Sequence, residues 1–320
     1  MKGKVLFIDS VHPVLREELE SDGWKCDWHT TKTREEITKE IGNYEGIVIR
    51  SKFTMNRQMI DRSTKLKFIA RSGAGLENID VEYAKSKGIV VFNSPEGNRN
   101  AVGEQAIGML LSLFQKLNKA NKEVRSGIWD REGNRGVELK GKTVGIIGFG
   151  NMGKAFAQRL QGFECEGIAY DKYKEGFSSE WVEEVCEDEF FERSEIVSIH
   201  VPWTRENKHL VNSSWLSKFN KPIVFINSSR GAVVNTSDLL DAIDIGQVSS
   251  IGLDVLEFEG SSLECLDKLE DAEARSTLTR LLESPNAYLS PHVAGWTTES
   301  YIKLSSYLAN KILKDFSAES

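Results

Sequence analysis

The chain has 320 residues, a net charge of −7 at pH 7, and hydrophobic (40%) and charged (28%) fractions typical of a globular protein. At roughly 100–200 residues per domain, this length predicts two domains, and the acidic balance excludes a nucleic-acid-binding surface. No apolar run approaches the ~18 residues of a membrane span, and the four cysteines lack metal-ligand spacing. We therefore expect a cytoplasmic protein with reduced thiols, no metal site, and no membrane or nucleic-acid partner.

Residues 1–92 alternate short apolar runs with amphipathic segments. The runs predict strands at 5–8, 26–28, 47–49, 68–70 and 89–92, and the segments between them predict helices at 14–19, 35–41, 55–60 and 81–84. The first run ends at Asp9, so it predicts a buried strand and not a secretion signal. Strands that alternate with helices indicate a parallel, doubly wound sheet. Turn residues at 93–98 predict the first domain boundary.

The second half of the chain begins with one long helical pattern at about 100–125, whose first half is small and apolar and is therefore predicted to be buried. Further strands are predicted at 144–147, 168–171, 196–200, 223–227, 248–253 and 287–289, with a charged amphipathic stretch at 261–283 and a last helix at 301–316. We predict an α/β fold of two doubly wound parallel-sheet domains with a cleft between them. A flavodoxin-like domain comprises 1–98 plus 291–320, and a Rossmann domain comprises 99–290.

The first apolar strand of the second half leads into the pattern Gly148-x-Gly150-x-x-Gly153, and a helical pattern follows it. In this pattern the first glycine permits a tight turn, the second admits a pyrophosphate, and the third allows helix and strand to pack closely. The helix that starts at Asn151 and Met152 would face the phosphates with free N–H groups. With Asp171 at the end of the next strand, the pattern predicts a dinucleotide-binding site.

Other polar residues also follow predicted strands, at the sheet edge where ligands of such folds bind. They are Asp9, Arg50, Ser51, Arg71, Ser72, Gly73, His200, Asn227, Ser228, Ser229, Arg230, Asp254 and His292. A proton donor that works near neutral pH is usually a histidine. Of the five histidines, His200 is a candidate cofactor neighbour, and His292 lies between a proline and a glycine just after a strand. Position alone leaves His292 open as either an acid/base group or a turn residue.

Four motifs in order resemble the D-isomer-specific 2-hydroxyacid dehydrogenases, and among them most closely the short 3-phosphoglycerate dehydrogenases without a regulatory domain. They are GFGNMG at 148–153, VFINSSRG at 224–231, GLDVLEFE at 252–259 and SPHVAG at 290–295; RSGAGLENID at 71–80 adds to them. The resemblance covers nearly the whole chain. It implies that NAD is the cofactor, that a 2-hydroxy or 2-keto acid is the substrate, and that the protein is a homodimer.

The resemblance also implies a catalytic trio of Arg230, Glu259 and His292. His292 would protonate the 2-keto oxygen as hydride arrives, Glu259 would fix the tautomer of the ring, and Arg230 would polarise the carbonyl. Glu257 is an alternative to Glu259, which we prefer because Asp254 sets the register of the motif. The other positions assigned to the cofactor are His200, Val201, Pro202, Ser228, Ser229, Asp254 and Gly295.

The resemblance places the substrate carboxylate on the backbone of Ser72 and Gly73. Arg50, Ser51 and Arg71, with Lys52 beside them, offer more cationic groups than one carboxylate requires, and arginine suits phosphate. We therefore favour D-3-phosphoglycerate as the substrate. If the arginines instead form surface ion pairs, then glyoxylate, hydroxypyruvate or D-lactate is the better candidate.

Two related classes of protein share this architecture. A nucleotide-sensing corepressor-like scaffold has the same motifs and remains an alternative, whereas a formate dehydrogenase would pair its histidine with glutamine. Asp171 favours NAD over NADP, although Lys172 and Lys174 could soften that preference. The first half of the 100–126 helix and Trp129 predict the dimer surface. The 261–283 stretch is longer than the corresponding loop of the family, so closure of this loop over the site is expected to differ. Feedback control by a regulatory domain is not expected.

Overall fold

A computed structural model of the chain describes residues 2–259 and 271–316. The chain forms two compact units, unit 1 (Met1–Arg99 with Trp296–Ser320) and unit 2 (Asn100–Gly295). The second crossing between the units comes after Gly295, not after Ser290, so His292 belongs to unit 2. Residues 260–270 of the long amphipathic stretch lie outside the described residues.

Unit 1 contains a five-stranded sheet in which every neighbouring pair of strands is parallel, in the order β2-β1-β3-β4-β5. Its elements are β1 (Gly3–Phe7), α1 (Val14–Ser21), β2 (Trp24–Trp28), α2 (Arg34–Glu40), β3 (Gly46–Ile49), α3 (Arg57–Arg62), β4 (Phe68–Arg71), α4 (Val81–Ser86), β5 (Val90–Asn93) and the last helix of the chain, α12 (Thr298–Phe316). This strand order is that of the flavodoxin-like folds.

Local sequence explains the main elements of unit 1. Strand β3 is buried along its whole length, as expected for an apolar central strand covered by helices on both faces. Helix α2 begins with a capping box, in which Thr33 and Glu36 each accept a hydrogen bond from the other's backbone N–H. Helix α12 returns to this unit because Leu308 and Ile312 are fully buried in the same core cluster as Leu15 of α1.

Unit 2 contains a seven-stranded parallel sheet in the order β12-β11-β10-β9-β6-β7-β8. Its elements are α5 (Pro95–Phe114, which begins in unit 1), α6 (Leu117–Arg125), β6 (Thr143–Ile147), α7 (Asn151–Leu160), β7 (Glu166–Tyr170), β8 (Glu183–Glu184), α8 (Glu187–Arg193), β9 (Ile196–Ile199), α9 (Ser213–Leu216), β10 (Ile223–Asn227), α10 (Thr236–Asp244), β11 (Val248–Leu253), α11 (Ala272–Glu283) and β12 (Ala287–Leu289). The order reverses between β6 and β9, as in a Rossmann sheet. The predicted fold class is therefore confirmed.

The single long helix predicted at 100–125 is in fact two helices, α5 and α6. Lys116 between them is in the left-handed region (φ 49°), and the Val137 N–H donates to the Phe114 carbonyl at 2.9 Å. The apolar part of α5 packs in the core of unit 2, where Met109 and Leu110 are buried, as the sequence predicted. The dimer surface predicted for the same segment remains a prediction.

No helix of the described ranges is both long enough and apolar enough to cross a bilayer. Among the same residues, no group of three His, Cys, Asp or Glu side chains is arranged to hold a metal ion.

Candidate functional site

The glycine turn between β6 and α7 has the geometry that a bound pyrophosphate needs. A Cβ atom at Gly148 (φ 87°) would lie 2.7 Å from the His200 carbonyl oxygen, and one at Gly153 would lie 2.1 Å from the Gly148 oxygen. At Gly150, by contrast, the nearest atom would be Lys174 Nζ at 3.9 Å, which leaves the backbone open to a ligand. Helix α7 starts at Asn151 without a side-chain cap, so its N-terminus is suited to phosphate oxygens.

Asp171 lies directly after β7, beside this turn. Its Oδ2 atom accepts a hydrogen bond from Phe149 N at 2.8 Å, and its Oδ1 atom accepts one from Tyr173 N at 3.0 Å. Lys172 pairs with Glu206, and Lys174 donates to the Phe149 carbonyl at 3.1 Å. Lys172 is thus neutralised by its ion pair with Glu206, whereas Lys174 keeps its positive charge beside the turn.

His200 directly follows β9, and its carbonyl lies against Gly148 of the glycine turn. Burial lowers the pKa of its ring to about 4, so the ring is neutral near pH 7. Its Nε2 atom lies 2.9 Å from Ser198 Oγ, and the ring packs on Phe156. Within the described residues, His200 Nδ1 and Ser228 Oγ are buried without a hydrogen-bond partner. The two residues follow the neighbouring strands β9 and β10, and a bound polar ligand could satisfy such orphaned atoms.

Arg230 follows β10 in a turn that Asn227 organises. Asn227 Oδ1 accepts hydrogen bonds from the Ser229 N–H (2.9 Å) and hydroxyl (2.7 Å), and Asn227 Nδ2 donates to the Arg230 carbonyl at 3.1 Å. Arg230 Nη1 donates to the Ser229 carbonyl at 2.7 Å. The sequence placed Asn227 at a strand end but did not predict that it holds this turn, because the role depends on its side-chain partners.

His292 lies in a tight turn after β12, with its backbone in the left-handed region (φ 53°). The buried carboxylate of Asp254 holds the turn: Oδ1 accepts from Val293 N at 3.0 Å and from Ser290 Oγ at 2.6 Å, and Oδ2 accepts from Ala294 N at 2.7 Å. Burial raises the pKa of Asp254. Non-glycine residues in this region of the backbone occur often at functional sites. Asp254 thus supports the His292 turn, and its predicted contact with the cofactor remains a prediction.

The structure separates the two glutamates of the motif after β11. Glu259 Oε2 lies 2.7 Å from His292 Nδ1, and its Oε1 atom accepts from Leu256 N at 2.6 Å. Glu257 instead pairs with His209, Nε2 to Oε1, at 2.6 Å. Arg230, Glu259 and His292 all belong to unit 2, and the pairing of His292 with Glu259 leaves its Nε2 atom as the nitrogen that would face a substrate.

In unit 1, the predicted substrate residues follow β3 and β4. The backbone N–H groups of Arg50 and Ser51 donate to Asp9 Oδ2, at 2.6 and 3.1 Å. The Arg50 guanidinium stacks on Trp296, 4.5 Å from the ring centroid, and donates to the Ser10 carbonyl at 3.3 Å. Lys52 differs from expectation, because its ammonium group donates to the Thr30 and Lys32 carbonyls at 2.5 and 2.7 Å.

The turn after β4 brings Arg71 against Gly73. A Cβ atom at Gly73 (φ 153°) would lie 1.9 Å from Arg71 Nη1, so any larger residue would displace this guanidinium from its position. The Ser72 N–H donates to the Ile49 carbonyl at 2.9 Å within the sheet. A backbone contact to a substrate carboxylate would therefore come from Gly73 and not from Ser72.

Among the remaining predicted positions, Val201 lies against the Gly148 turn, Pro202 accepts a hydrogen bond from Asn207, and Gly295 (φ 90°) ends unit 2.

Comparison with known protein families gives a match over most of unit 2. Residues 107–294 match the family described as D-isomer specific 2-hydroxyacid dehydrogenase, NAD binding domain. A D-3-phosphoglycerate dehydrogenase from Archaeoglobus fulgidus is 32% identical over 312 residues, which cover 97% of this chain and 56% of that protein. A hydroxypyruvate reductase from Thermotoga maritima is 34% identical over 282 residues, 88% of each protein. The chain spans about half the length of the phosphoglycerate dehydrogenases that it matches.

Solved structures have the same fold. A D-lactate dehydrogenase from Aquifex aeolicus, complexed with NAD and lactic acid, matches 98% of this chain and 95% of its own, with a TM-score of 0.82 and 26% identity. A glyoxylate reductase from Paecilomyes thermophila matches with a TM-score of 0.85 over 99% of this chain and 96% of its own; at 24% identity it indicates the fold alone.

Proposed function

Since the chain belongs to the D-isomer specific 2-hydroxyacid dehydrogenase family and contains its NAD binding domain, we propose that it transfers hydride between NAD and a D-2-hydroxy acid or the corresponding 2-keto acid. The observation on which this rests is the 2.7 Å contact between His292 and Glu259, in the same unit as the dinucleotide turn. When bound, NAD supplies or accepts the hydride. The residues of the chain supply binding, orientation and the proton.

The cofactor-binding role rests on five features of unit 2. The open backbone at Gly150 and the N-terminus of α7 hold the pyrophosphate, and Asp171 accepts hydrogen bonds from the adenine-side ribose. The buried Ser228 hydroxyl and the neutral His200 ring offer the remaining polar contacts. The charge of Asp171 disfavours a 2′-phosphate and hence NADP, and Glu206 neutralises Lys172, one of the two lysines that could oppose this effect.

The proton-transfer role belongs to His292. As hydride reaches C2 of the keto acid, Nε2 of His292 donates its proton to the carbonyl oxygen, which becomes the hydroxyl; in the oxidative direction the same nitrogen takes the proton back. Glu259 accepts a hydrogen bond from Nδ1 and so fixes the ring and stabilises the imidazolium. The permanent charge of Arg230 stabilises the negative charge that develops on the oxygen.

We favour D-3-phosphoglycerate as the substrate, oxidised to 3-phosphohydroxypyruvate. The Arg50 guanidinium lies 4.5 Å from the centroid of the Trp296 ring, and the Arg71 guanidinium lies against Gly73. A planar guanidinium suits phosphate and carboxylate oxygens. Several relatives that are about one-third identical bear the name D-3-phosphoglycerate dehydrogenase.

A specific observation favours a second candidate, reduction of an unphosphorylated acid such as hydroxypyruvate, glyoxylate or the keto form of D-lactate. The Lys52 ammonium is bound to backbone carbonyls within unit 1, which leaves fewer cations for a phosphate than the sequence suggested. The relative that matches the chain over 88% of both lengths is a hydroxypyruvate reductase.

The test is NADH oxidation, followed by absorbance, with 3-phosphohydroxypyruvate, hydroxypyruvate, glyoxylate and pyruvate. NADH binding is measured in parallel by fluorescence, and His292→Asn serves as the matched control. We expect turnover on at least one acid that the variant lacks, with NADH bound by both proteins. If NADH binds but no acid is turned over, the corepressor-like scaffold replaces the dehydrogenase.

We also propose that the protein is a homodimer. Helix α6 and the segment after it expose apolar side chains that a monomer would leave in water: Leu117 (51%), Val124 (53%), Ile128 (50%) and Trp129 (80%). Clustered exposed apolar residues mark interaction surfaces. A second copy of this chain would cover them.

A further inference from the structure

Residues 254–259, directly after β11, include two glutamates, and each pairs with a different histidine. Glu259 pairs with His292, which the proposed reaction uses. Glu257 pairs with His209, Nε2 to Oε1 at 2.6 Å, and side-chain exposures of 34% for His209 and 20% for Glu257 leave this pair partly buried. The proposed chemistry assigns no role to the second pair.

Glu257 connects three separate segments of unit 2. Its Oε1 atom binds His209, and its Oε2 atom accepts a hydrogen bond from Thr236 N at 2.8 Å, at the first residue of α10. A carboxylate at a helix N-terminus is stabilised by the free N–H groups there. The loop that ends in Glu259 is thus tied to both α10 and the His209 segment.

The His209 backbone is itself held next to the Arg230 turn. His209 is one of the few described non-glycine residues in the left-handed region (φ 51°), as is His292. Its N–H donates to the Ala232 carbonyl at 3.0 Å, and its own carbonyl accepts from Asn212 Nδ2 at 2.9 Å. A non-glycine residue keeps this conformation only where its surroundings hold it. The His209 ring is therefore presented to Glu257 from a fixed backbone.

The Arg230 turn and the glutamate loop are also in direct contact. A Cβ atom at Gly231 would lie 1.9 Å from the Leu256 carbonyl oxygen, so the two backbones touch where only glycine fits. Within the loop, the Glu259 N–H donates to the same Leu256 carbonyl at 3.2 Å. A displacement of Glu257 would therefore pass through this short turn to Glu259.

We propose that the His209–Glu257 pair is a positioning device for the reaction. It holds the 256–259 turn against the Arg230–Gly231 turn and so keeps the Glu259 carboxylate within hydrogen-bonding distance of His292 Nδ1. Small displacements of such a group are costly, since a misplacement of about 1 Å can reduce the rate roughly 100-fold. The proposal rests on the acid/base role proposed for His292.

The experiment compares Glu257→Ala with Glu257→Gln and uses two readouts. The first is kcat and the KM for NADH and for the keto acid. The second is the ¹⁵N chemical shifts of the His292 ring at one pH, which show the nitrogen that bears the proton and do not depend on turnover. The matched control is Glu40→Ala, because Glu40 pairs with His29 in unit 1 at 2.6 Å and with similar exposure.

We expect Glu257→Ala to lower kcat on the order of tenfold or more, to leave the KM for NADH unchanged, and to shift the His292 Nδ1 signal. Glu257→Gln keeps an acceptor for Thr236 N and should restore most of the activity, while Glu40→Ala should change neither readout. Glu257→Ala combined with Glu259→Gln should lose no more activity than Glu259→Gln alone. His209→Ala, which leaves the Glu257–Thr236 bond intact, replaces Glu257→Ala if that variant does not fold.

A Glu257→Ala variant that melts at a lower temperature, yet keeps the wild-type kcat and His292 signals, would show that the pair only stabilises the fold and would overturn the proposal. If the wild type turns over no acid, the proposed function fails, and the His292 signal alone decides the positioning role.

Discussion

The Asp171 carboxylate accepts a hydrogen bond from Phe149 N at 2.8 Å, so the acid at the end of β7 is fixed directly to the phosphate-binding turn. This contact sets the position of the acid relative to the glycine turn. We predict that wild type has a higher kcat/KM with NAD than with NADP, and that Asp171→Ser reduces or reverses the ratio because the repulsion of a 2′-phosphate is lost. Steady-state kinetics with NAD and with NADP measure the ratio of the two kcat/KM values.

Glu206→Gln is the informative companion variant, because it releases Lys172 from its ion pair without touching the glycine turn. It should improve NADP use while NAD kinetics stay close to wild type. Equal kcat/KM for the two cofactors in the wild type would refute the assignment of Asp171.

The second prediction concerns proton transfer. His292→Asn should reduce kcat by about 10²–10⁴-fold while NADH binding survives, because general acid–base catalysis contributes that much. Glu259→Gln should lose less, because the amide still accepts a hydrogen bond from Nδ1 although the negative charge is gone. His29→Asn, in unit 1, is the control and should keep wild-type kcat. A His292→Asn variant with undiminished kcat would remove His292 from the mechanism.

Regular features of the sequence predicted most of the fold. Alternating apolar runs identified the strands of both sheets, and the glycine spacing identified the dinucleotide turn, because both are local patterns. Strand β8 was missed because Glu183 and Glu184 have no apolar signature. The break at Lys116 was missed because it depends on Val137, which bonds to Phe114 across 23 residues of chain.

The family resemblance, which is now confirmed, supplied the residues of the candidate site but not their partners. Sequence order cannot show that Lys52 bonds to the Thr30 carbonyl and not to a ligand, or that Glu257 pairs with His209. These pairings arise from side chains that come together only after folding. The register argument from Asp254 chose Glu259, and the structure brings that residue to His292.

The third prediction is a pH dependence of stability that comes from His200. Burial lowers the pKa of this ring from 6.5 to about 4, so the folded state binds its proton less readily than the unfolded state. The resulting stability is fully present above about pH 6.5 and is lost as the pH falls toward 4, a change of about 3 kcal/mol. Urea unfolding across this pH range should show it, and His200→Gln should flatten the curve.

Ser198→Ala tests whether the burial of the His200 ring or its contact with Ser198 causes this pH dependence of stability. Since burial and not the Ser198 contact lowers the pKa, this variant should lose stability about equally at each pH and keep the slope. A slope that His200→Gln leaves unchanged would assign the acid sensitivity to other groups.

The fourth prediction concerns assembly. The wild type should sediment at micromolar concentration as a species of twice the chain mass of 36.0 kDa. Trp129→Arg should produce the monomer, because it places a charge in the exposed apolar surface of α6 and the segment after it. Ile245→Arg, at a position 81% exposed after α10, is the control and should leave the mass unchanged. A wild-type monomer at these concentrations would contradict the proposed dimer.

The last prediction concerns the substrate. Arg50 contacts the ring of Trp296 and donates to the Ser10 carbonyl, so its guanidinium lies just beyond the end of β3. If it binds a phosphate, Arg50→Ala should raise the KM for 3-phosphohydroxypyruvate roughly 10–100-fold, because a hydrogen bond to a charged group contributes about 1.5–3 kcal/mol. The KM for hydroxypyruvate should not change. The KM of Arg50→Lys for 3-phosphohydroxypyruvate should lie between those of the wild type and Arg50→Ala, because lysine keeps the charge but lacks the planar guanidinium. Lys52→Ala is the matched control, since its ammonium is bound within unit 1, and should not affect either KM. A wild type that prefers hydroxypyruvate, with Arg50→Ala acting equally on both acids, would refute phosphate recognition and leave hydride transfer to the smaller acid in its place.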